Sequence, residues 1–68
     1  MEIDIERLKV GQTIRTFDAE EKSWVKVMVT HIGENDVTLV DLEGSMQGWT
    51  WKESLEALSD TEYYKPAK

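Results

Sequence analysis

Cysteine is absent from this 68-residue chain, which excludes disulfide staples, thiolate zinc sites and a cysteine nucleophile. Histidine occurs once, at His31, so a zinc site would have to lean on carboxylates, an unusual donor set. Basic residues are scarce. Eight Lys and Arg face fourteen Asp and Glu, for a formal net charge of −6. A phosphate-backbone binder needs clustered Lys and Arg, so this balance argues against direct nucleic-acid binding. No apolar run approaches the ~20 residues of a membrane span. Met1-Glu2-Ile3-Asp4 has neither the basic nor the apolar region of a signal peptide. The expectation is a cytoplasmic protein with no membrane partner. A Gly-rich phosphate loop, a His-Glu-x-x-His pair and an Asp-x-Asp-x-Asp-Gly loop are all missing, and no spacing suggests a nucleophile with its base. The chain therefore reads as non-enzymatic, with no catalytic residue, no metal and no cofactor.

What is present is globular. Hydrophobic residues make up 40% and charged residues 32% of the chain, away from the composition of disorder. The length suits one domain, and a domain this short buries only ~60% of its unfolded surface, so a partner would be a natural supplement to its stability.

Hydrophobic alternation places the strands. Ile5, Leu8 and Val10 read as a short turn leading to a bend at Gly11, where positive φ is cheap. Gln12 to Phe17 is the first strand, with Val10 and Ile14 on one face. Asp18 to Ser23 is an exposed loop. Trp24 to Ile32 is the strongest strand: Val25, Val27 and Val29 line one face, and Trp24, Lys26, Met28 and Thr30 the other. Gly33 to Asp36 is turn chemistry, and Val37 to Leu42 is a strand apolar on both faces. Glu43-Gly44-Ser45 forms a second turn before a fourth strand, Met46 to Trp51, in which Gly48 suggests a bulge.

Thr50 to Leu58 is ambiguous. Thr50 and Glu53 have capping-box spacing, and Trp51, Leu55 and Leu58 fall at helical intervals. Nine residues make a marginal helix, however, and a 3₁₀ turn with a short closing strand is favoured. The domain is assigned to residues 1–59, and 60–68 is read as a partly ordered tail.

Four to five short antiparallel strands, with turn signals between them, predict an all-β fold, a small barrel or sandwich. Leu8-Lys9-Val10-Gly11-Gln12-Thr13-Ile14, Trp24-Val25-Lys26-Val27-Met28-Val29, Val37-Thr38-Leu39-Val40 with Glu43-Gly44, and Trp49 to Leu58 together resemble the SH3-like small barrels. Within that superfamily the spacing is most similar to Tudor-type domains, which share a Val-Gly opening, an aromatic starting the second strand and a Trp–Leu–Leu ending. The resemblance spans Leu8 to Ser59. It implies a barrel closed on itself and an aromatic cage for a methylated cation, each ring contact worth ~0.5–2 kcal/mol. The KOW-type barrels are similar in outline and would imply RNA contact, but the basic loop of that subset is missing here.

Three tryptophans in 68 residues is a high count. Trp24 and Phe17 flank one loop, and Trp49 lies where it can approach the same mouth. These rings could form a cage or a peptide groove, or simply fill a small core. Trp49 and Trp51 share a strand face, so burial of one argues against exposure of the other. Trp51 is assigned to the core and Trp24 to the surface, with Trp49 open between the two. The acids Asp18, Glu20 and Glu21 could steer a basic partner or could be a solvated surface. The leading reading is a protein–protein interaction module that binds a basic partner or peptide segment through Phe17, Trp24, Trp49, Asp18, Glu20 and Glu21. The alternative is a small acidic, phage-type inhibitor that mimics nucleic acid to block a host nucleic-acid-binding protein. A structural subunit of a larger assembly is a third class.

Overall fold

Strict alternation over Val25, Val27 and Val29 needs a surface to pack against, and the folded chain supplies it by coiling a single sheet around these side chains. The computed structural model describes residues 2–67; Met1 and Lys68, the outer ends of the two segments assigned above, lie outside the described residues. Five strands form one open antiparallel sheet in the order β4-β3-β2-β1-β5. Their ranges are β1 (Thr13–Asp18), β2 (Ser23–Ile32), β3 (Asp36–Asp41), β4 (Thr50–Ser54) and β5 (Tyr64–Pro66). The protein is thus all-β, with two short 3₁₀ turns, Ile5–Arg7 and Glu56–Ser59.

The inner face carries Ile14, Val27, Val29, Val37, Leu39 and Tyr64, all buried. Ile3 and Leu58 close over them, and Ile5, Leu8, Ile32, Trp51 and Leu55 pack around the margin. The two 3₁₀ turns therefore act as lids that bring apolar side chains to the open side of the sheet. Asp4 caps the first through its carboxylate, which accepts from the Glu6 amide at 3.2 Å. No helix among the described residues is long and apolar enough to cross a membrane.

The expected closed cylinder is not formed. β4 and β5 are sheet edges and share no backbone ladder. Laid flat, five strands would hold their edges roughly 19 Å apart. Yet the Trp51 indole N–H of β4 donates to the Tyr64 hydroxyl of β5 at 3.3 Å, and that hydroxyl donates in turn to Glu53 Oε2. The sheet is therefore strongly coiled, and side chains bridge the gap where backbones do not meet. Bulky Trp51 and Tyr64, lying between the edges, keep the two backbones apart.

Other expectations shift as well. The fourth strand is Thr50–Ser54, not Met46 to Trp51, because residues 42–49 are held in a loop described below. Val10 is exposed and does not share the core with Ile14, since Gly11 at φ +92° turns the chain before the strand begins. Leu42, expected within the third strand, lies past its end and is also exposed. The Thr50–Glu53 capping box is not made: Glu53 bonds Tyr64, and Ser54 Oγ accepts from the Ala57 amide instead. Within the segment assigned to a partly ordered tail, Tyr64–Pro66 pair with β1, because a tyrosine with a bonded hydroxyl can be buried at little polar cost.

Candidate functional site

Two carboxylates build the end of the sheet where the β1–β2 turn meets the long β3–β4 connection. Asp18 ends β1. Its Oδ1 accepts from the Glu20 and Glu21 amides at 3.0 and 3.1 Å, which folds the hairpin turn around it. Its Oδ2 accepts from both the amide and the hydroxyl of Ser45 at 2.8 Å. These bonds, the Ser45 amide foremost, hold the Asp18 carboxyl below the usual carboxylate range.

Asp41 ends β3 on the inward parity of Val37 and Leu39, and it is buried. Its Oδ1 accepts from Glu43 and Gly44 amides at 3.1 and 2.7 Å, and its Oδ2 from the Met46 amide at 3.0 Å. Its own backbone closes the same loop: the Asp41 amide donates to Trp49 and the Gly48 amide donates to Asp41. A buried carboxylate without such donors would be costly; with three it becomes the template for residues 42–49. Gly44 lies between the two acids, and a Cβ there would stand 2.7 Å from Asp18 Oδ2 and from Asp41 Oδ2. Gly48, at φ +88°, supplies the reversal that aims Trp49 outward.

The result is a groove of about 410 Å³ whose wall includes Phe17, Val25, Met46, Trp49 and Trp51, with Asp18 at its margin. Phe17, Met46 and Trp49 are 45%, 49% and 64% exposed. Three large apolar side chains thus face water around one concavity, Phe17 from β1 and Met46 and Trp49 from a loop whose Glu43, Gly44, Ser45 and Met46 amides are already bonded to the two carboxylates.

The six residues proposed from sequence divide into three sets. Phe17, Asp18 and Trp49 line the groove. Trp24 does not. It lies on the outer sheet face, half-buried, directly opposite Phe17 in the ladder and in edge-to-face contact with it at 5.7 Å. The cation over its ring is the chain's own Lys65, whose Nζ is 4.3 Å from the centroid, so this indole is not a vacant cage wall. Glu20 and Glu21 are exposed at the hairpin tip and give their amides to Asp18.

Trp49 and Trp51 escape the shared-face argument. Trp49 precedes β4 and belongs to the loop, whereas Trp51 points inward from the strand. Sequence reasoning missed Asp41, Ser45, Met46 and Val25 as parts of this site. The available signal was parity: continuing Val37 and Leu39 puts an acid at an inward position, immediately before the turn residues Glu43-Gly44-Ser45. His31, at the β2–β3 register shift, is exposed and remote from the groove. Among the described residues no group of three His, Asp or Glu could hold a metal ion.

Comparison with protein-family models, with curated proteins and with solved structures gave no match.

Proposed function

We propose that the protein is a non-enzymatic interaction module whose groove receives an apolar side chain from a basic segment of a partner protein. The observation that carries this is the convergence of exposed Phe17, Met46 and Trp49 on one concavity. Large aromatic and Met side chains are the residues that concentrate binding energy at interface centres. Because Asp18 and Asp41 already organise the loop, little ordering cost remains to be met on binding. Glu20 and Glu21, free at the neighbouring hairpin tip, favour a positively charged approach. The SH3-like, Tudor-like kinship belongs to the same reading; five antiparallel strands and the side-chain bridge between the sheet edges support it.

The test is selection of peptides from a displayed library on the immobilised protein, followed by calorimetry of the enriched sequences. The expected peptides combine Lys or Arg with an aromatic or aliphatic anchor, and Trp49→Ala weakens them by at least ~tenfold, a hot-spot effect. Unchanged affinity in Trp49→Ala would sink the groove assignment. Affinity that collapses between low and moderate salt, with competition by DNA or RNA for the target, would point to charge mimicry instead.

A further inference from the structure

The chain is acidic, but its outer sheet face is not. Register places Arg15 of β1 directly between Lys26 of β2 and Lys65 of β5. Lys52 projects from the same face of β4, opposite Thr38. Four of the eight basic residues thus share one face, and of the acids within the strands only Asp36, at the far end of β3, points the same way. Glu43 reaches its margin, where its carboxylate accepts from the Lys26 backbone amide at 3.1 Å. Among the described residues the single ion pair is Arg7–Asp4, elsewhere in the molecule. Among the described residues, Lys26, Arg15 and Lys65 therefore lie side by side with no carboxylate paired to any of them.

Like charges directly opposite one another across strands are destabilising, and this row contains two such pairs. Among the described residues the Arg15 side chain makes one hydrogen bond, from Nε to the Pro66 carbonyl at 3.0 Å, and Lys65 stacks on Trp24. Those contacts give Arg15 and Lys65 one partner each, but they do not explain why Lys26 stands beside Arg15 in a chain with fourteen acids that could pair with it. One step along the same face stands the Phe17–Trp24 pair, with the Phe17 ring open to solvent.

We propose that this face binds single-stranded nucleic acid, the Lys26–Arg15–Lys65 row taking backbone phosphates and Phe17 stacking a base. The row spans about two strand spacings, roughly 10 Å, which suits a few phosphates. Cations beside exposed rings on an open sheet are the combination that sequence-tolerant single-strand binding uses. The net charge of −6 does not forbid it, because charges beyond ~8 Å are largely screened at physiological salt and the molecule measures 30 × 24 × 18 Å. The surface is distinct from the groove, although Phe17 borders both.

Fluorescence anisotropy of a labelled oligothymidylate of about ten nucleotides tests this on the full chain. Expected is binding at low salt with a log–log salt slope near −2, as about three phosphate contacts require. Lys26→Gln weakens it about fivefold and makes the slope shallower by about 0.7, while Lys9→Gln, an equal charge change outside the strands, leaves it unchanged. Phe17→Ala weakens it at least ~fivefold, the lower end of one base–ring stack. Lys26→Gln also removes a like-charge pair, so its melting temperature does not fall and misfolding cannot imitate the loss. No binding at low salt overturns the proposal. So does equal loss in Lys9→Gln and Lys26→Gln, or capture of an acidic peptide as tight as the oligonucleotide and insensitive to Phe17→Ala.

Discussion

Asp18 Oδ2 meets Ser45 twice, at 2.8 Å from the amide and 2.8 Å from the hydroxyl, and so ties the first hairpin to a loop 27 residues further along the chain. Asp18→Ala should release that tie without dissolving the loop, since Asp41 still holds Glu43, Gly44 and Met46. Hydrogen exchange should show protection lost at the Ser45 and Glu21 amides and retained at Met46. The same tie sets an acid limit. The folded carboxyl titrates below its ordinary value of 3.8, so its stabilisation is complete above that pH and disappears as pH falls through the lower folded value. Ser45 protection should follow that course in an acid titration.

Asp41 carries the heavier structural role because it is buried. Asp41→Ala leaves three loop amides without their acceptor and should cost roughly 2–4 kcal/mol in urea unfolding. Asp41→Asn keeps one carbonyl acceptor and should cost less. Equal losses would mean that the carboxylate charge, not the number of acceptors, organises the loop.

Gly44 and Gly48 should respond differently to alanine. At Gly44 the new methyl meets two carboxylate oxygens at 2.7 Å, so the Asp18 and Asp41 anchors must both move. A loss of ~1–3 kcal/mol is expected, with changed amide shifts at Ser45 and Met46. At Gly48 there is open space, and only the strain of φ +88° remains, about 1 kcal/mol.

The Tyr64 hydroxyl joins the sheet edges, and burial, then the bond to Glu53, pushes its pKa up to about 12. The neutral phenol is the form that folding favours. Its contribution is complete below the unfolded value near 10 and is lost as pH rises from there to about 12. Phenolate absorbance should place Tyr64 at the upper value, and alkaline unfolding should set in over this interval. Tyr64→Phe should flatten that alkaline response and cost about 1–2 kcal/mol at neutral pH, since Glu53 and the Trp51 N–H lose their partner.

The indoles should separate by quenching and by mutation. Trp49 is 64% exposed, and Trp49→Ala should change stability by less than ~0.5 kcal/mol. Trp51 packs on the core and bonds Tyr64, and Trp51→Ala should cost roughly 3–5 kcal/mol. Single-tryptophan variants should show Trp49 the most open to iodide; a shielded Trp49 would remove the groove's main anchor.

Much of the sheet is legible in local pattern. Val25, Val27 and Val29 announce β2 and its apolar face, the run from Val37 announces β3 without choosing which face turns inward, and Gly33 to Asp36 mark the turn between them. Of the site, Phe17, Asp18 and Trp49 are readable as candidates because exposed rings and loop acids are distinctive residue types. Trp24 misleads, because its exposure depends on Lys65, 41 positions away. The fourth strand misleads because Met46 to Trp51 has strand-like residues, yet Asp41 claims the amides of that stretch for a loop.

Side-chain alternation at period two acts within a few residues, so the chain itself determines that it is all-β, that Val25, Val27 and Val29 share one face, and that a turn falls between β2 and β3. Pairing between distant residues is decided only when the sheet coils. That step brings Trp51 to Tyr64, Asp18 to Ser45 and Lys65 to Trp24, and it sets Arg15 between two lysines. These contacts depend on strand order and register, which local periodicity does not encode. They determine that the edges meet through side chains, that Met46 and Trp49 overhang a groove, and that an acidic protein presents a basic face.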